Sequence, residues 1–174
     1  EIKSFKMNRG EIKMSNAPYS GIIRDHVGYV SLTTFTQDAG KNIADAIKTM
    51  KKDDPLLKGV ILDLRDNGGG LLMEAINIVN IFVPNGVEVV STRGKVRDWD
   101  KTFTTQRPAL DETLPVVVLI NKHSASASEI VSGAIQDLDR GVIIGQRSYG
   151  KGLVQNTKDI GFNSKLKLTT SKYY

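Results

Sequence analysis

The run Pro115-Val116-Val117-Val118-Leu119-Ile120 limits the possible folds of this chain more than any other stretch. Six consecutive apolar residues suit a strand buried on both faces, as in the middle of a parallel sheet. The segment after it, Asn121-Lys122-His123-Ser124-Ala125-Ser126-Ala127-Ser128-Glu129, is a turn of mostly small residues. Beyond the turn, Ile130, Val131, Ala134, Ile135 and Leu138 fall at helical spacing. A buried strand therefore delivers three serines to the start of a helix. Ligands gather at the carboxyl ends of strands in open α/β sheets, and helix N-termini favour negative charge. A nucleophile would be well placed there.

The same alternation runs through the rest of the chain. Residues 27–32 and 59–64 read as buried strands, and residues 38–52 as a helix with Ile43, Ala46, Ile47 and Met50 on one face. Asp53-Asp54-Pro55 ends that helix, because proline cannot continue it. Arg65-Asp66-Asn67-Gly68-Gly69-Gly70 is a glycine-rich turn leading into a helix over 71–82, with Leu72, Ala75, Ile76 and Val79 inward. Strands are expected at 87–92, 141–145, 153–157 and 165–169, and a tight turn at Ser148-Tyr149-Gly150-Lys151-Gly152. Residues 93–114 show little periodicity and read as a surface excursion. Residues 1–23, with Ile2, Phe5 and Ile12 among charges, read as one or two short strands and a loop. Strands alternating with helices imply an α/β domain whose sheet is largely parallel.

At 174 residues, 40% hydrophobic and 25% charged, the chain suits one globular domain with a substantial core. No apolar segment is long enough to span a bilayer. Without cysteine there is neither a disulfide framework nor a thiolate metal site. The net charge of +5 is spread along the chain apart from Lys48, Lys51 and Lys52. A solvated helix face explains that cluster better than nucleic acid does, since interleaved aromatics for base stacking are missing. The chain opens at Glu1 and ends just after a strand-like alternation, as an excised piece of a longer protein would.

Three turns end predicted strands, and each has a plain structural use. Ser126 with Glu129 three residues on is a capping-box pattern. To act as a nucleophile, Ser126 needs a base. His123 sits on the turn with no evident carboxylate to orient it, His26 lies just before the first strand, and both read by default as surface histidines. Lys151, between Gly150 and Gly152, is the other candidate. A lysine accepts a proton only as the free amine, so this turn would have to hold its side chain in a cleft rather than in water. Gln155, in the following strand, is placed to accept a hydrogen bond from that amine and aim it. The triple glycine lacks the Lys-Ser/Thr ending of a phosphate-binding loop. Acyl transfer needs two N–H groups aimed at a developing oxyanion, and Gly70 with Ala127 is a plausible pair.

Asp63-Leu64-Arg65-Asp66-Asn67-Gly68-Gly69-Gly70, Ser124-Ala125-Ser126-Ala127-Ser128-Glu129 and Gly150-Lys151-Gly152-Leu153-Val154-Gln155 together resemble the C-terminal processing (tail-specific) proteases, serine peptidases of the S41 type. The resemblance implies Ser126 as nucleophile, Lys151 as general base and Gln155 as its orienting partner. Gly70 and Ala127 would form the oxyanion hole. It also implies a ClpP/crotonase-like α/β core with a largely parallel sheet flanked by helices, over residues 27–174 and preceded by a segment 1–26. Members cleave proteins near accessible C-termini, in the bacterial envelope or periplasm or the chloroplast lumen, with no cofactor or metal. A PDZ domain is expected elsewhere in the full-length protein. Two other readings stay open at this point. One is an acyl-thioester enzyme of the crotonase type. The other is a non-catalytic peptide-binding module, with Ser126 only a cap and Lys151 only a surface charge.

Overall fold

The structure is a computed structural model and describes residues 3–7, 10 and 15–174. Ile2 and Ile12, read as part of short N-terminal strands, lie outside the described residues. The elements run β1 (Tyr19–Ile22), β2 (Val27–Ser31), α1 (Ala39–Asp53), β3 (Gly59–Asp63), α2 (Leu72–Phe82), β4 (Glu88–Gly94), β5 (Lys101–Thr104), β6 (Val116–Ile120), α3 (Ala127–Asp137), β7 (Val142–Gly145), β8 (Leu153–Asp159) and β9 (Lys165–Tyr173). A single 3₁₀ turn, Arg97–Trp99, separates β4 from β5.

There are two sheets. The first has the order β1-β2-β3-β6-β7, parallel throughout except for β1, which folds back antiparallel on β2. The second, order β5-β4-β9-β8, is antiparallel. In the first sheet β2 to β3, β3 to β6 and β6 to β7 each step the same way across the sheet. Right-handed crossovers taken in one direction place α1, α2 and α3 on the same face, and α2 packs against both of its neighbours. Their apolar stripes meet the inward residues of the sheet, Val30, Val60, Leu62, Val116 and Val118, each at most 2% exposed.

Two expectations need correction. The apolar run at 115–120 is not buried on both faces: Val117, Leu119 and Ile120 are only half-buried, because the helices cover one side of the sheet. The excursion at 93–114 also contains a strand, since β5 pairs with β4. No helix among the described residues is long and apolar enough to cross a membrane.

The lysines of α1 are not all solvated either. Lys51 pairs with the Asp111 carboxylate, which also accepts the Thr113 and Leu114 N–H groups at 2.7 and 2.9 Å. Arg140, past the end of α3, donates to the carbonyls of Phe82 at 2.7 Å and Leu114 at 2.8 Å. Residues 111–114 are thereby tied to both ends of the helical layer. The Lys51 ammonium holds the Asp111 carboxyl well below the usual range, although burial opposes it. A depressed folded pKa contributes stability at neutral pH that is lost as pH falls below the unfolded value of ~3.9 and through the folded one. Asp111→Asn is therefore expected to lower stability at pH 7 by about 1–3 kcal/mol. In urea unfolding, the gap between variant and wild type should close as the pH is taken well below that range.

Candidate active site

The β3–α2 turn and the β6–α3 turn emerge side by side from adjacent parallel strands, and buried polar contacts hold them together. The Asn67 carbonyl accepts the Ala125 N–H at 3.1 Å and the Ser128 hydroxyl at 2.9 Å. The Ser124 hydroxyl donates to the Leu64 carbonyl at 2.8 Å. Asn67, itself wholly buried, donates its amide to the Leu32 carbonyl at 2.7 Å and accepts the Gly69 N–H at 2.9 Å. At the outer edge, Asn121 bonds Asp66 through both its N–H and its carbonyl. Ser124 and Ser128 are therefore structural hydroxyls, fully buried.

Ser126 differs from both. Among the described residues no acceptor takes its hydroxyl proton, and its backbone is strained, with φ 57° and ψ −114°. A non-glycine residue held this way costs on the order of 1–3 kcal/mol and recurs at functional sites. Of the capping box read from the sequence the Glu129 arm forms, its carboxylate accepting the Ser126 N–H at 2.7 Å, while the Glu129 N–H donates to the Ser126 main-chain carbonyl at 2.8 Å. The cap therefore does not occupy the serine proton.

Gly69 lies directly on this turn. A Cβ there would sit 2.8 Å from Ser126 Cβ and 2.9 Å from the Ala127 nitrogen, so only glycine lets the two turns meet. Gly70 bridges to Phe35 on one side: Leu71 donates to the Phe35 carbonyl and Phe35 donates to the Gly69 carbonyl. In extended backbone, successive residues direct their N–H groups to opposite sides. The Gly70 N–H therefore faces away from Phe35. Neither it nor the Ala127 N–H, in the first turn of α3, donates to a protein acceptor among the described residues. These are the two amides that the sequence picked out.

Lys151 and Ser126 line one cavity of about 310 Å³. Lys151 is exposed rather than held away from water, and no hydrogen bond joins its amine to Ser126. Gln155, exposed in β8 beside a bulge, does not contact that amine through a hydrogen bond. Both histidines are engaged elsewhere: His26 pairs with Asp54 at 2.7 Å and His123 with Asp66 at 2.8 Å. No histidine serves Ser126.

Sequence reasoning read Glu129 as a cap alone and missed its larger role. Its carboxylate also accepts the Ser148 hydroxyl at 2.7 Å, the Gly150 N–H at 2.6 Å and the Lys151 N–H at 2.9 Å. One side chain thus holds the lysine turn against the serine turn. Burial pushes the Glu129 carboxyl up, but donors from Ser148, Gly150, Ser126 and Lys151 outweigh it and hold it below the ordinary range. At the end of β3, buried Asp63 receives the Arg65 fork, closest at 2.6 Å, and the Tyr29 hydroxyl at 2.6 Å, fixing the start of the glycine turn.

Known proteins resemble this chain in sequence and fold. Residues 26–174 match the family model "Peptidase family S41". The chain is 43% identical over 171 residues to a carboxy-terminal-processing protease of Bartonella bacilliformis, covering 97% of this chain and 39% of that protein. It is 37% identical to the chloroplastic carboxyl-terminal-processing peptidase 2 of Arabidopsis thaliana, covering 96% of this chain and 32% of that one. The solved photosystem II D1 C-terminal processing protease superposes with a TM-score of 0.76 at 31% identity, covering 92% of this chain and 42% of the other. The chain thus spans about two fifths or less of the length of these relatives. With residues 26–174 matching the family model on a ClpP/crotonase-like α/β core, the chain belongs to peptidase family S41.

Proposed function

We propose that this domain is the catalytic core of a serine endopeptidase that cleaves protein substrates near accessible C-termini through a Ser126–Lys151 dyad. The observation that carries the reading is the convergence of Ser126 and Lys151 on one cavity, with the Gly70 and Ala127 N–H groups donating to no acceptor among the described residues. In the first step Ser126 Oγ attacks the substrate carbonyl carbon while its proton passes to the neutral Lys151 amine. The Gly70 and Ala127 amides hold the resulting oxyanion. The lysine then returns the proton to the leaving amine as the peptide C–N bond breaks, leaving an acyl-serine. Water attacks that ester, giving its proton to Lys151, which passes it to Ser126 Oγ as the acyl C–O bond breaks, releasing the carboxylic acid and regenerating serine and free amine. Gln155 takes its hydrogen bond from the amine in the substrate complex, as catalytic hydrogen bonds are often looser before substrate binds. The relatives' names support C-terminal processing as the activity; a PDZ domain elsewhere in the protein and a site of action in the cell envelope are what the family resemblance implies.

A fluorophosphonate probe tests this. Labelling is expected on Ser126, located by mass spectrometry of the tryptic peptides. In Lys151→Ala the rate should fall by about 10²–10⁴-fold, the usual scale of general base catalysis. Labelling elsewhere, or at an undiminished rate in Lys151→Ala, would remove the dyad.

A further inference from the structure

The cavity that holds Ser126 and Lys151 does not stop at them. It continues down one face of α3 past Ile130, Gly133 and Ala134 to Asp137, with Val90 of β4 and Tyr173 of β9 as the opposite wall. Positions 126, 130, 133, 134 and 137 follow the spacing of a single helical stripe. At 1.5 Å per residue, Gly133 lies roughly 10 Å and Asp137 roughly 16 Å along the axis from Ser126. The walls are mainly apolar, and burial raises the Tyr173 phenol above its usual pKa. Such walls disfavour an acidic side chain, which would lose its water shell without gaining a partner, and Asp137 lies exposed at the far mouth.

Gly133 calls for an explanation, because glycine is the poorest helix former after proline. Helix contact is one reason for a helical glycine, and it applies on α1: a Cβ at Gly40 would meet Asn77 Cβ at 2.5 Å. At Gly133 a Cβ would meet nothing within 4 Å, and the residue is not among those with positive φ. Neither packing nor backbone conformation requires glycine there. What its missing side chain does is leave the cavity open.

We propose that this cavity receives the apolar substrate side chain on the acyl side of the scissile bond, and that Gly133 sets the largest side chain it admits. The inference rests on Ser126 being the nucleophile, since the cavity opens beside that hydroxyl. It makes Gly133 a specificity-determining residue, and it predicts that bulky apolar residues are accepted and aspartate is refused.

The test uses peptides identical except for Ala, Leu, Phe or Asp immediately before the cleaved bond, with kcat/KM measured for wild type, Gly133→Ala and Gly133→Leu. Pocket contacts of a methylene's size are worth about 10–200-fold in such ratios. Wild type is expected to favour Leu or Phe over Ala by at least tenfold. Gly133→Leu should reduce that preference at least tenfold, and Gly133→Ala should reduce it less. Gly133→Ala improves helix propensity, so it carries the test if the leucine variant fails to fold. A wild type that labels at Ser126 but shows no dependence on this side chain, or variants that keep the wild-type preference, would overturn the pocket and leave the nucleophile standing. Failure of the wild type to label at Ser126 would overturn both.

Discussion

Ser126→Ala is expected to abolish peptide cleavage, a loss of roughly five to six orders of magnitude as in other serine hydrolases stripped of their nucleophile. The fold should survive almost unchanged. Among the described residues the Ser126 hydroxyl gives its proton to no acceptor, and Glu129 still accepts the residue 126 N–H when the side chain is only a methyl. Loss of the serine oxygen as a helix cap bounds the destabilisation at about 0.5–2 kcal/mol. Ser124→Ala and Ser128→Ala supply the contrast. Each removes a buried hydroxyl that donates to a main-chain carbonyl of the neighbouring turn, Leu64 in one case and Asn67 in the other. Those two should lose about 1–3 kcal/mol of stability and only the activity that follows from unfolding. Activity assays and urea unfolding on all three variants separate the roles. If Ser126→Ala retained cleavage, or lost it only in proportion to stability, Ser126 would be a cap and nothing more.

Glu129→Ala should have the next largest effect, although the carboxylate transfers no proton in the proposed reaction. The substitution removes the common acceptor of four donors, three of them main-chain N–H groups at 126, 150 and 151. The lysine turn is then free to move relative to Ser126, and a misplacement of about 1 Å costs on the order of 10²-fold in rate. A fall in kcat of about 10²-fold or more is expected, larger than any rise in KM. Glu129→Gln should recover part of it, because the amide keeps one acceptor oxygen but turns an NH₂ toward donors. The pH dependence has a definite sign. Hydrogen bonds hold the Glu129 carboxyl below its ordinary range, so the clamp is intact at neutral pH and opens only as pH falls through that depressed value. A Glu129→Ala enzyme with wild-type kcat would show that the two turns hold together without it.

The buried apolar runs at 59–63 and 116–120 identified their strands, because a parallel strand under helices needs little else. The Gly69–Gly70 and Ser126 turns were equally legible, since glycine and small residues at strand ends mark close approach of backbone. β5 was not: Lys101-Thr102-Phe103-Thr104 is short and mostly polar, and only its pairing with β4 makes it a strand. The half-buried face of the sheet was hidden for a similar reason. An apolar run cannot report which of its faces the helices will cover. Glu129 was visible as a helix-capping residue. Its grip on Ser148, Gly150 and Lys151 spans some twenty residues of chain and depends on where β7 ends. Periodicity does not carry that information.

Glu129 takes hold of the lysine turn mostly through amide hydrogens, which every amino acid but proline supplies. Architecture therefore makes almost no demand on which side chain occupies position 151. A descendant that abandoned chemistry could trade that lysine for nearly anything and still fold, with its acidic clasp in place. Such an offshoot would be recognisable by an intact glutamate opposite a drifted neighbour.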